Sequence, residues 1–355
     1  ESYTEALTVQ KLMMEQSQQN MQTICVTNFC GGRKMNKKID FTDCKKIYKA
    51  YNGANGKKIA VEYQDTVYMI KFPPSGANKP TELSYTNSCI SEYISCHVFN
   101  MVGITAQDTL LGTYRIGEKE KVVCACRDFS IGEKVLYDFC SIKNTVLDSE
   151  TNGSGTELED IIDTIEKQGY IEPNKLKTHF WNVFVVDALL GNFDRHNGNW
   201  GFLQDMKTQE IEIAPVYDCG SCLLPQADEK MMKNIMESRE LLQARIFQFP
   251  TSAIKRNGKK IGYYDFLMSD HMPYECRRAL RQIVPKINIP KIVEMISDIP
   301  YITKTQKEFY GYYLSERYNQ ILMPAFQRLV SLEKMKRKHQ NKQTMEYQEE
   351  EELER

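Results

Sequence analysis

A polar run between two apolar segments carries the side chains of this sequence that are best suited to chemistry. Asp194 and Asn199 lie five positions apart in the run from Gly191 to Gly201. A carboxylate can accept the proton of an attacking hydroxyl group, and carboxylate and amide oxygens are ligands that Mg²⁺ prefers. Asp218 adds a second carboxylate at the predicted end of a strand. Such a set suits phosphoryl transfer, which depends mainly on positioning and charge neutralisation.

The spacing of these residues matches protein-kinase motifs. Asp-x-x-x-x-Asn is the pattern of the kinase catalytic loop, and Asp218-Cys219-Gly220 stands where kinases carry Asp-Phe-Gly. We therefore expect Asp194 to be the catalytic base, and Asn199 and Asp218 to bind Mg²⁺. The alternative for the run around Asp194 is a polar loop with an Asn-Gly turn.

Three features earlier in the chain could hold a nucleotide. Lys71 lies inside an apolar strand, where kinases place the lysine that holds phosphates, and Glu92 in the next helix could pair with it. Small residues between two predicted strands could let backbone N–H groups approach phosphates: Gly53, Ala54, Asn55 and Gly56. Each feature has an ordinary alternative, namely a lysine at a sheet edge, a solvated helix charge and a hairpin turn.

Two longer segments carry a resemblance to a known family. Leu190 to Gly201, followed by Ala214 to Ser221, resembles the HipA-type serine/threonine kinases, and within them the cell-translocating, pro-inflammatory branch. The resemblance extends from about Asp40 to Val330. It implies a variant of the protein-kinase fold, with ATP and Mg²⁺ as cofactors.

The resemblance also implies roles for individual residues. By analogy with the family, Lys71 is the ATP lysine and His196 an active-site histidine. The linker Arg127-Asp128-Phe129 corresponds to the segment whose backbone meets adenine. One departure is that the residues from Gly53 to Lys58 include no Ser or Thr, whereas HipA toxins phosphorylate a serine in this loop. The residues before Asp40 are also too few for the larger N-terminal subdomain of many HipA chains, so a DNA-bound toxin–antitoxin assembly is not implied.

The pattern of elements predicts an α+β, bilobal protein-kinase-like fold. Strands are expected at Lys45–Ala50, Ile59–Tyr63, Thr66–Phe72, Thr109–Arg115 and Lys121–Cys126, with one helix at Ser84–Val102. Helices are expected at Leu158–Lys167 and Lys175–Leu190, then a hairpin near Trp200–Leu203 and Glu210–Ala214, then helices to the end. Asn152 to Gly155 is expected to be a flexible boundary. The predicted segments are an appendage (1–39), a β-rich ATP-binding N-lobe (40–130), a helical catalytic C-lobe (131–332) and a charged helical or disordered tail (333–355).

Composition narrows the classes of partner. The chain has 46 basic and 47 acidic residues and a net charge of −1, which gives no reason to expect a nucleic-acid partner. No apolar run approaches the ~20 residues of a membrane span, and Glu1 to Asn20 lacks the apolar core of a signal peptide. We expect a cytoplasmic protein, or one secreted or translocated without a signal peptide.

The 11 cysteines are scattered and odd in number, which favours free thiols over a disulfide framework. Cys219 and Cys222 form a C-x-x-C motif without a second ligand pair. A zinc or redox role is therefore less favoured than a turn packed behind the metal site.

The sequence thus favours an ATP- and Mg²⁺-dependent serine/threonine kinase that autophosphorylates, with an unidentified protein substrate. An antitoxin or regulator is a candidate partner. The alternatives are a small-molecule or lipid kinase of similar fold, and a nucleotide-binding pseudokinase that acts as a toxin–antitoxin partner module. The intact Asp194, Asn199, Asp218 and Lys71 argue against the pseudokinase.

Overall fold

A five-stranded antiparallel sheet forms the first lobe. The structure is a computed structural model that describes residues 38–49, 51, 58–74, 85–146 and 153–335. The strands are β1 (Lys45–Ile47), β2 (Lys58–Tyr63), β3 (Thr66–Lys71), β4 (Thr109–Ile116) and β5 (Lys119–Arg127). Their spatial order is β1-β2-β3-β5-β4. The predicted strands and hairpin are confirmed with shifted ends, and β1 stops at Ile47 rather than Ala50.

The turn between β2 and β3 fixes the register of β3, which carries Lys71. Gln64 and Asp65 have φ angles of 50° and 57°, and both therefore lie in the left-handed region. Two-residue turns of this kind match the twist of the strands that they join. The pairing runs from Tyr63 with Thr66 to Lys58 with Lys71. Lys71 is thus the last residue of β3 and lies opposite Cys124 of β5.

One long helix covers the face of this sheet. Helix α1 (Ser88–Met101) packs against β4 and β5, and its buried face includes Ile94 and Val98. The sequence predicted a helix over residues 84–102. The helix observed begins at Ser88, and residue 84 lies outside the described part of the chain.

The second lobe is mostly helical. Its helices are α2 (Phe139–Val146), α3 (Leu158–Lys167), α4 (Pro173–Leu190), α5 (Glu229–Glu237), α6 (Arg239–Gln243), α7 (Tyr263–Leu267), α8 (Tyr274–Ile283), α9 (Ile289–Ser297) and α10 (Lys304–Arg317). A π-helical stretch, Tyr318–Leu322, continues into helical residues 323–335. None of the helices described is both long enough and apolar enough to cross a bilayer.

Helix α4 is the centre of this lobe. Its N-terminus is capped by Glu172, which accepts from two backbone N–H groups, and it ends at Gly191 with φ 64°. Arg317 is fully buried and donates to the carbonyls of Ala188 and Leu189 at 2.8–3.1 Å. Because the last carbonyls of a helix lack partners within it, this arginine satisfies the end of α4, where the loop that carries Asp194 begins.

The second lobe also contains a small three-stranded sheet. Strands β6 (Lys134–Asp138), β7 (Gly201–Asp205) and β8 (Ile211–Ile213) are antiparallel in that order. The hairpin of β7 and β8 was predicted, but β6 was not. A further hairpin of β9 (Lys255–Arg256) and β10 (Lys259–Lys260) interrupts the C-terminal helices.

The glycines expected to form a flexible boundary are part of the second lobe. Asn197 Nδ2 donates to the carbonyls of Gly153 and Gly155, both at 2.8 Å. A Cβ on Gly153 would lie 2.0 Å from the carbonyl of Cys140, so a larger residue could not occupy this position. The glycines therefore allow the chain to pass close to the loop that carries Asn197. The chain instead passes from the five-stranded sheet of the first lobe to the small sheet of the second between Arg127 of β5 and Lys134 of β6.

The described residues thus form the two-lobed α+β arrangement expected from the sequence. Residues 1–37 and 336–355 lie outside the described part, and the segment limits at 39, 130 and 332 remain predictions.

Candidate active site

Lys71 connects its own strand, β3, with helix α1 and with the segment that contains Asp218. Its Nζ lies 3.0 Å from Oε2 of Glu92 on α1 and 3.1 Å from Oδ1 of Asp218. Burial alone would lower the pKa of Lys71, but the carboxylates of Asp218 and Glu92 raise it well above its ordinary value. The lysine is therefore a fixed positive charge. The sequence alternative of an edge lysine facing water is wrong, because its side chain is only 15% exposed.

Glu92 is the buried member of this group. Its side chain is 1% exposed, and burial raises its pKa while the Lys71 charge opposes the rise. Its second oxygen, Oε1, has no hydrogen-bond partner in the part of the chain described. The solvated helix charge that the sequence left open is thus excluded.

Asp218 is held in an unusual backbone conformation. Its φ is 55°, a region that non-glycine residues with side chains seldom adopt. Its side chain is 48% exposed, and the Lys71 charge lowers the pKa of its carboxyl group. Asp218 is therefore ionised and offers an oxygen to the cleft. Backbone strain of this kind is found at functional sites more often than elsewhere.

The loop after α4 presents Asp194. Its backbone N–H donates to Oδ1 of Asn192 at 3.0 Å, and its carbonyl accepts from Nδ2 of Asn199 at 2.8 Å. Burial raises the pKa of Asp194, and the nearby Asp218 carboxylate adds to the rise. The amide nitrogen of Asn199 therefore bonds within the loop, and its amide oxygen, Oδ1, points away from the Asp194 carbonyl.

A buried ion pair that the sequence reasoning missed holds the two motifs together. Arg195 binds both oxygens of Asp187, with Nε at 3.0 Å and Nη2 at 3.2 Å. Its Nη1 donates to the carbonyls of Asn199 and Tyr217, at 3.0 and 2.5 Å. One guanidinium group thus fixes the loop of Asp194 beside the segment that ends at Asp218. The available signal was Asp187 itself, a charge inside the apolar run of α4.

His196 is placed in the loop but is exposed. Its Nδ1 accepts from the N–H of Gly198 at 3.0 Å, which leaves Nε2 directed outward. This contact shapes the short helical turn of Asn197–Asn199. The structure therefore places His196 close to Asp194 in the chain without a hydrogen bond between their side chains.

The linker after β5 is held by Asp128. Lys49 Nζ and Tyr51 Oη lie 2.6 and 2.8 Å from its Oδ2, and Ser130 donates to its Oδ1. Although burial raises the pKa of Asp128, these donors lower it below the ordinary value. The side chain of Asp128 is thus committed within the protein.

The backbone of the linker is less committed. Arg127 donates to Asp108 at 3.2 Å, and its carbonyl accepts from Gln107. Among the described residues, the N–H of Phe129 and the carbonyl of Asp128 have no protein partner. The linker therefore has one donor and one acceptor that could meet a base edge. The predicted phosphate loop, Gly53, Ala54, Asn55 and Gly56, lies outside the described residues.

The C-x-x-C turn lies behind Asp218. Cys96, Cys219 and Cys222 are fully buried, and the thiols of Cys96 and Cys219 lie within 4.8 Å of a Glu92 oxygen. Burial would raise the pKa of Cys219, but hydrogen bonds from Cys222, Cys96 and Arg195 bring it well below its usual range. Arg195 Nη2 is 3.2 Å from the Cys219 sulfur. Two cations, Lys71 and Arg195, thus already balance the negative charge here, and the turn has the packing role expected of it.

The donor set fits Mg²⁺ and a nucleotide. Asn199 and Asp218 provide an amide and a carboxylate oxygen on neighbouring segments, which suit a hard cation. Lys71 provides a fixed charge for phosphates, and the linker provides free backbone groups. Most of the predicted residues are thus brought to one cleft. Arg127 and His196 are at its edge.

Comparisons with known proteins show the family and the fold. The HipA-like C-terminal domain model matches residues 49–285. The curated serine/threonine-protein kinase CtkA of Helicobacter pylori (strain J99) is 46% identical over 296 residues, which are 83% of this chain and 89% of that protein. The crystal structure of a Helicobacter pylori proinflammatory kinase CtkA aligns with a TM-score of 0.78 and 45% identity, over 83% of this chain and 99% of that one.

A more distant structure is HipA of Shewanella oneidensis MR-1, solved with HipB and operator DNA. It aligns with a TM-score of 0.45 and 15% identity, over 87% of this chain and 72% of that one.

Proposed function

Because this chain belongs to the HipA-like family and is a serine/threonine-protein kinase with a two-lobed kinase-like fold, we propose that it transfers the γ-phosphoryl group of Mg-ATP to serine or threonine hydroxyls at Asp194. The observation that carries this proposal is Lys71, whose Nζ bridges Glu92 and Asp218. A lysine held between a helix and a metal-binding aspartate is positioned to bind phosphates.

Each residue then has a defined task. Lys71 binds the nucleotide phosphates, and Glu92 keeps its ammonium group in place. The linker backbone at Asp128 and Phe129 receives the base. Asn199 and Asp218 would hold Mg²⁺, which neutralises phosphate charge when bound. Asp194 orients the acceptor hydroxyl and accepts its proton.

Arg195 and Arg317 act through other residues. Arg195 positions the carbonyls before Asp218 and at Asn199, and Arg317 closes the end of α4. Neither guanidinium group is directed at a substrate, since both are buried and hydrogen-bonded to acceptors of the protein itself. They are positioning residues, and replacing either one should lower both the free energy of unfolding and the rate of phosphoryl transfer.

The test of the function is a transfer assay. The protein is incubated with labelled ATP and Mg²⁺, alone and with dephosphorylated casein, and the phosphosites are mapped. We expect label on serine or threonine of the chain and of casein, and none in EDTA. Label on an added lipid or sugar but not on either protein would favour the small-molecule kinase. Nucleotide binding without transfer to any acceptor would favour the pseudokinase.

Removing the lysine should impair use of ATP. Lys71→Ala is expected to raise KM for ATP about tenfold or more, because phosphate positioning is lost. The fold should survive, since burial already raises the pKa of Glu92 and the unpaired acid can take up a proton. Initial rates over a range of ATP concentrations and a thermal melt measure both effects.

Lys45→Ala is the matched control for that change. Lys45 lies in the same sheet and pairs with Glu62 at 2.8 Å, but its side chain is 75% exposed. An unchanged KM in Lys71→Ala, or an equal rise in Lys45→Ala, would contradict the assigned role.

Three further properties are proposed for this kinase: autophosphorylation, a regulatory partner and a cellular location. Autophosphorylation follows from the kinase function and is tested by the assay above. An antitoxin or regulator partner, and a cytoplasmic or translocated location, remain predictions.

A further inference from the structure

A serine of the chain itself contacts Asp194, the candidate base, where the hydroxyl of a substrate would be expected to bind. Ser221 Oγ lies 3.5 Å from Oδ2 of Asp194, to which it donates. Within the described ranges, it is the one hydroxyl group hydrogen-bonded to this carboxylate. The distance is long for a hydrogen bond, but contacts at catalytic groups are often long before substrate binds and then shorten.

The turn that carries Ser221 is anchored on both sides. Cys219 and Cys222 are fully buried, and the N–H of Cys222 donates to the carbonyl of Cys219 at 3.2 Å. The N–H of Leu223 donates to the carbonyl of Leu190 at the end of α4, at 2.9 Å. Ser221 between them is partly exposed. The backbone on both sides of Ser221 is thus held in place, and its hydroxyl contacts the Asp194 carboxylate.

Ser221 is also close to the nucleotide end of the site. It follows Asp218 by three residues, which span at most about 10 Å of extended chain. Asp218 in turn lies 3.1 Å from Lys71. A hydroxyl in contact with the base, and within about 10 Å along the chain of the residue that pairs with the phosphate-binding lysine, has the placement that an acceptor needs.

We propose that Ser221 is an intramolecular phosphoacceptor of this kinase, a step that rests on the proposed function. Its Oγ forms a bond to the γ-phosphorus of ATP. The bond from that phosphorus to the β,γ-bridging oxygen breaks, and ADP leaves with the electron pair. The hydroxyl proton passes to the Asp194 carboxylate.

Such a modification would limit the enzyme's own activity. A phosphoserine carries a charge of about −1.5 to −2 at pH 7. At position 221 this charge would lie beside the carboxylates of Asp194 and Asp218, and it would fill the place of an external hydroxyl. Phosphorylated protein should therefore bind Mg-ADP about tenfold more weakly, because like charges repel, and should stop phosphorylating other proteins.

The test maps and times the phosphate on residue 221. The full chain, purified after phosphatase treatment, is incubated with Mg-ATP over a hundredfold range of protein concentration, and residue 221 is followed by mass spectrometry. We expect its phosphorylation to be first order with a rate constant independent of protein concentration, and about 10³-fold slower in Asp194→Asn. Calorimetry with Mg-ADP compares the phosphorylated and unphosphorylated forms.

Three variants sharpen the result. Ser221→Thr should gain phosphothreonine at 221, and Ser221→Ala should continue to label casein after the wild type has slowed. Ser141 is the matched control, since its Oγ donates to another carboxylate, Asp138 Oδ1, at 2.7 Å. Ser141→Ala should behave as the wild type, with no phosphate at 141 in either.

The outcomes separate this inference from the function on which it rests. If wild type labels casein but residue 221 remains unmodified in both the serine and threonine forms, the inference is wrong and the kinase function stands. A rate that rises with protein concentration would replace the intramolecular step by one between molecules and overturn it. If no acceptor is labelled, the proposed function fails and the inference fails with it.

Discussion

Asp194→Asn is expected to lower kcat about 10³-fold while leaving Mg-ATP binding within about twofold of wild type. The amide keeps the size of the side chain and the hydrogen bonds of the loop, which run through backbone atoms of residue 194. What is lost is the oxygen that accepts the acceptor's proton. Because that carboxylate faces the hydroxyl rather than the nucleotide, binding should be spared.

Asp218→Asn provides the contrast for this prediction. Its carboxylate pairs with Lys71 at 3.1 Å, and the Lys71 charge lowers its pKa, so the ionised form is the one used. An amide is a weaker ligand for a hard cation. This variant should lose activity and also bind Mg-ATP about tenfold or more weakly.

Isothermal titration of Mg-ATP into each variant measures the difference. Equal loss of binding in both would overturn the division of roles. Full activity in Asp194→Asn would remove the base from the mechanism and, with it, the proposed function.

Arg195→Met is expected to destabilise the second lobe strongly. It leaves the Asp187 carboxylate buried without its cation, and Asp187 is only 2% exposed. Breaking a buried pair from one side costs about 3–5 kcal/mol. The change also removes the donors to the carbonyls of Asn199 and Tyr217, so activity should fall further than the folded fraction. Chemical denaturation and initial rates at a temperature where the protein is folded measure the two effects separately.

A second variant separates stability from positioning. Arg195→Met with Asp187→Leu removes both charges and should recover much of the stability, since apolar replacements of buried pairs are often neutral or better. It should not recover the rate, because the two carbonyls still lack their donor. Arg256→Met, in a surface pair with Glu159, is the control and should change stability by less than about 1 kcal/mol. Wild-type stability in Arg195→Met, or full activity in the double variant, would contradict the clamp.

Local patterns allowed much of the fold to be predicted. The β2–β3 hairpin, α3 and α4 follow directly from alternation, apolar periodicity and glycine at the helix end. Strand β6 was missed because it is an exposed edge strand whose partner, β7, lies more than sixty residues later. Its identity depends on a tertiary pairing that its own sequence does not encode.

The site shows the same division. Lys71, Glu92, Asp194, Asn199 and Asp218 belong to spacings that could be recognised in the sequence, and the structure brings them together. Arg195 and Arg317 could not be assigned, because their roles depend on carbonyl groups from distant segments. The left-handed backbone conformation of Asp218 was equally hidden, since residues other than glycine seldom adopt it.

The two-residue turn at Gln64 and Asp65 limits how this chain can change in length. Lys71 is six residues beyond Asp65, and successive side chains on a strand face opposite sides of the sheet. A single-residue insertion there that shifted the pairing of β3 would turn the lysine away from Glu92. We expect insertions and deletions to be tolerated at this turn only in pairs, or where a bulge absorbs the extra residue before position 71.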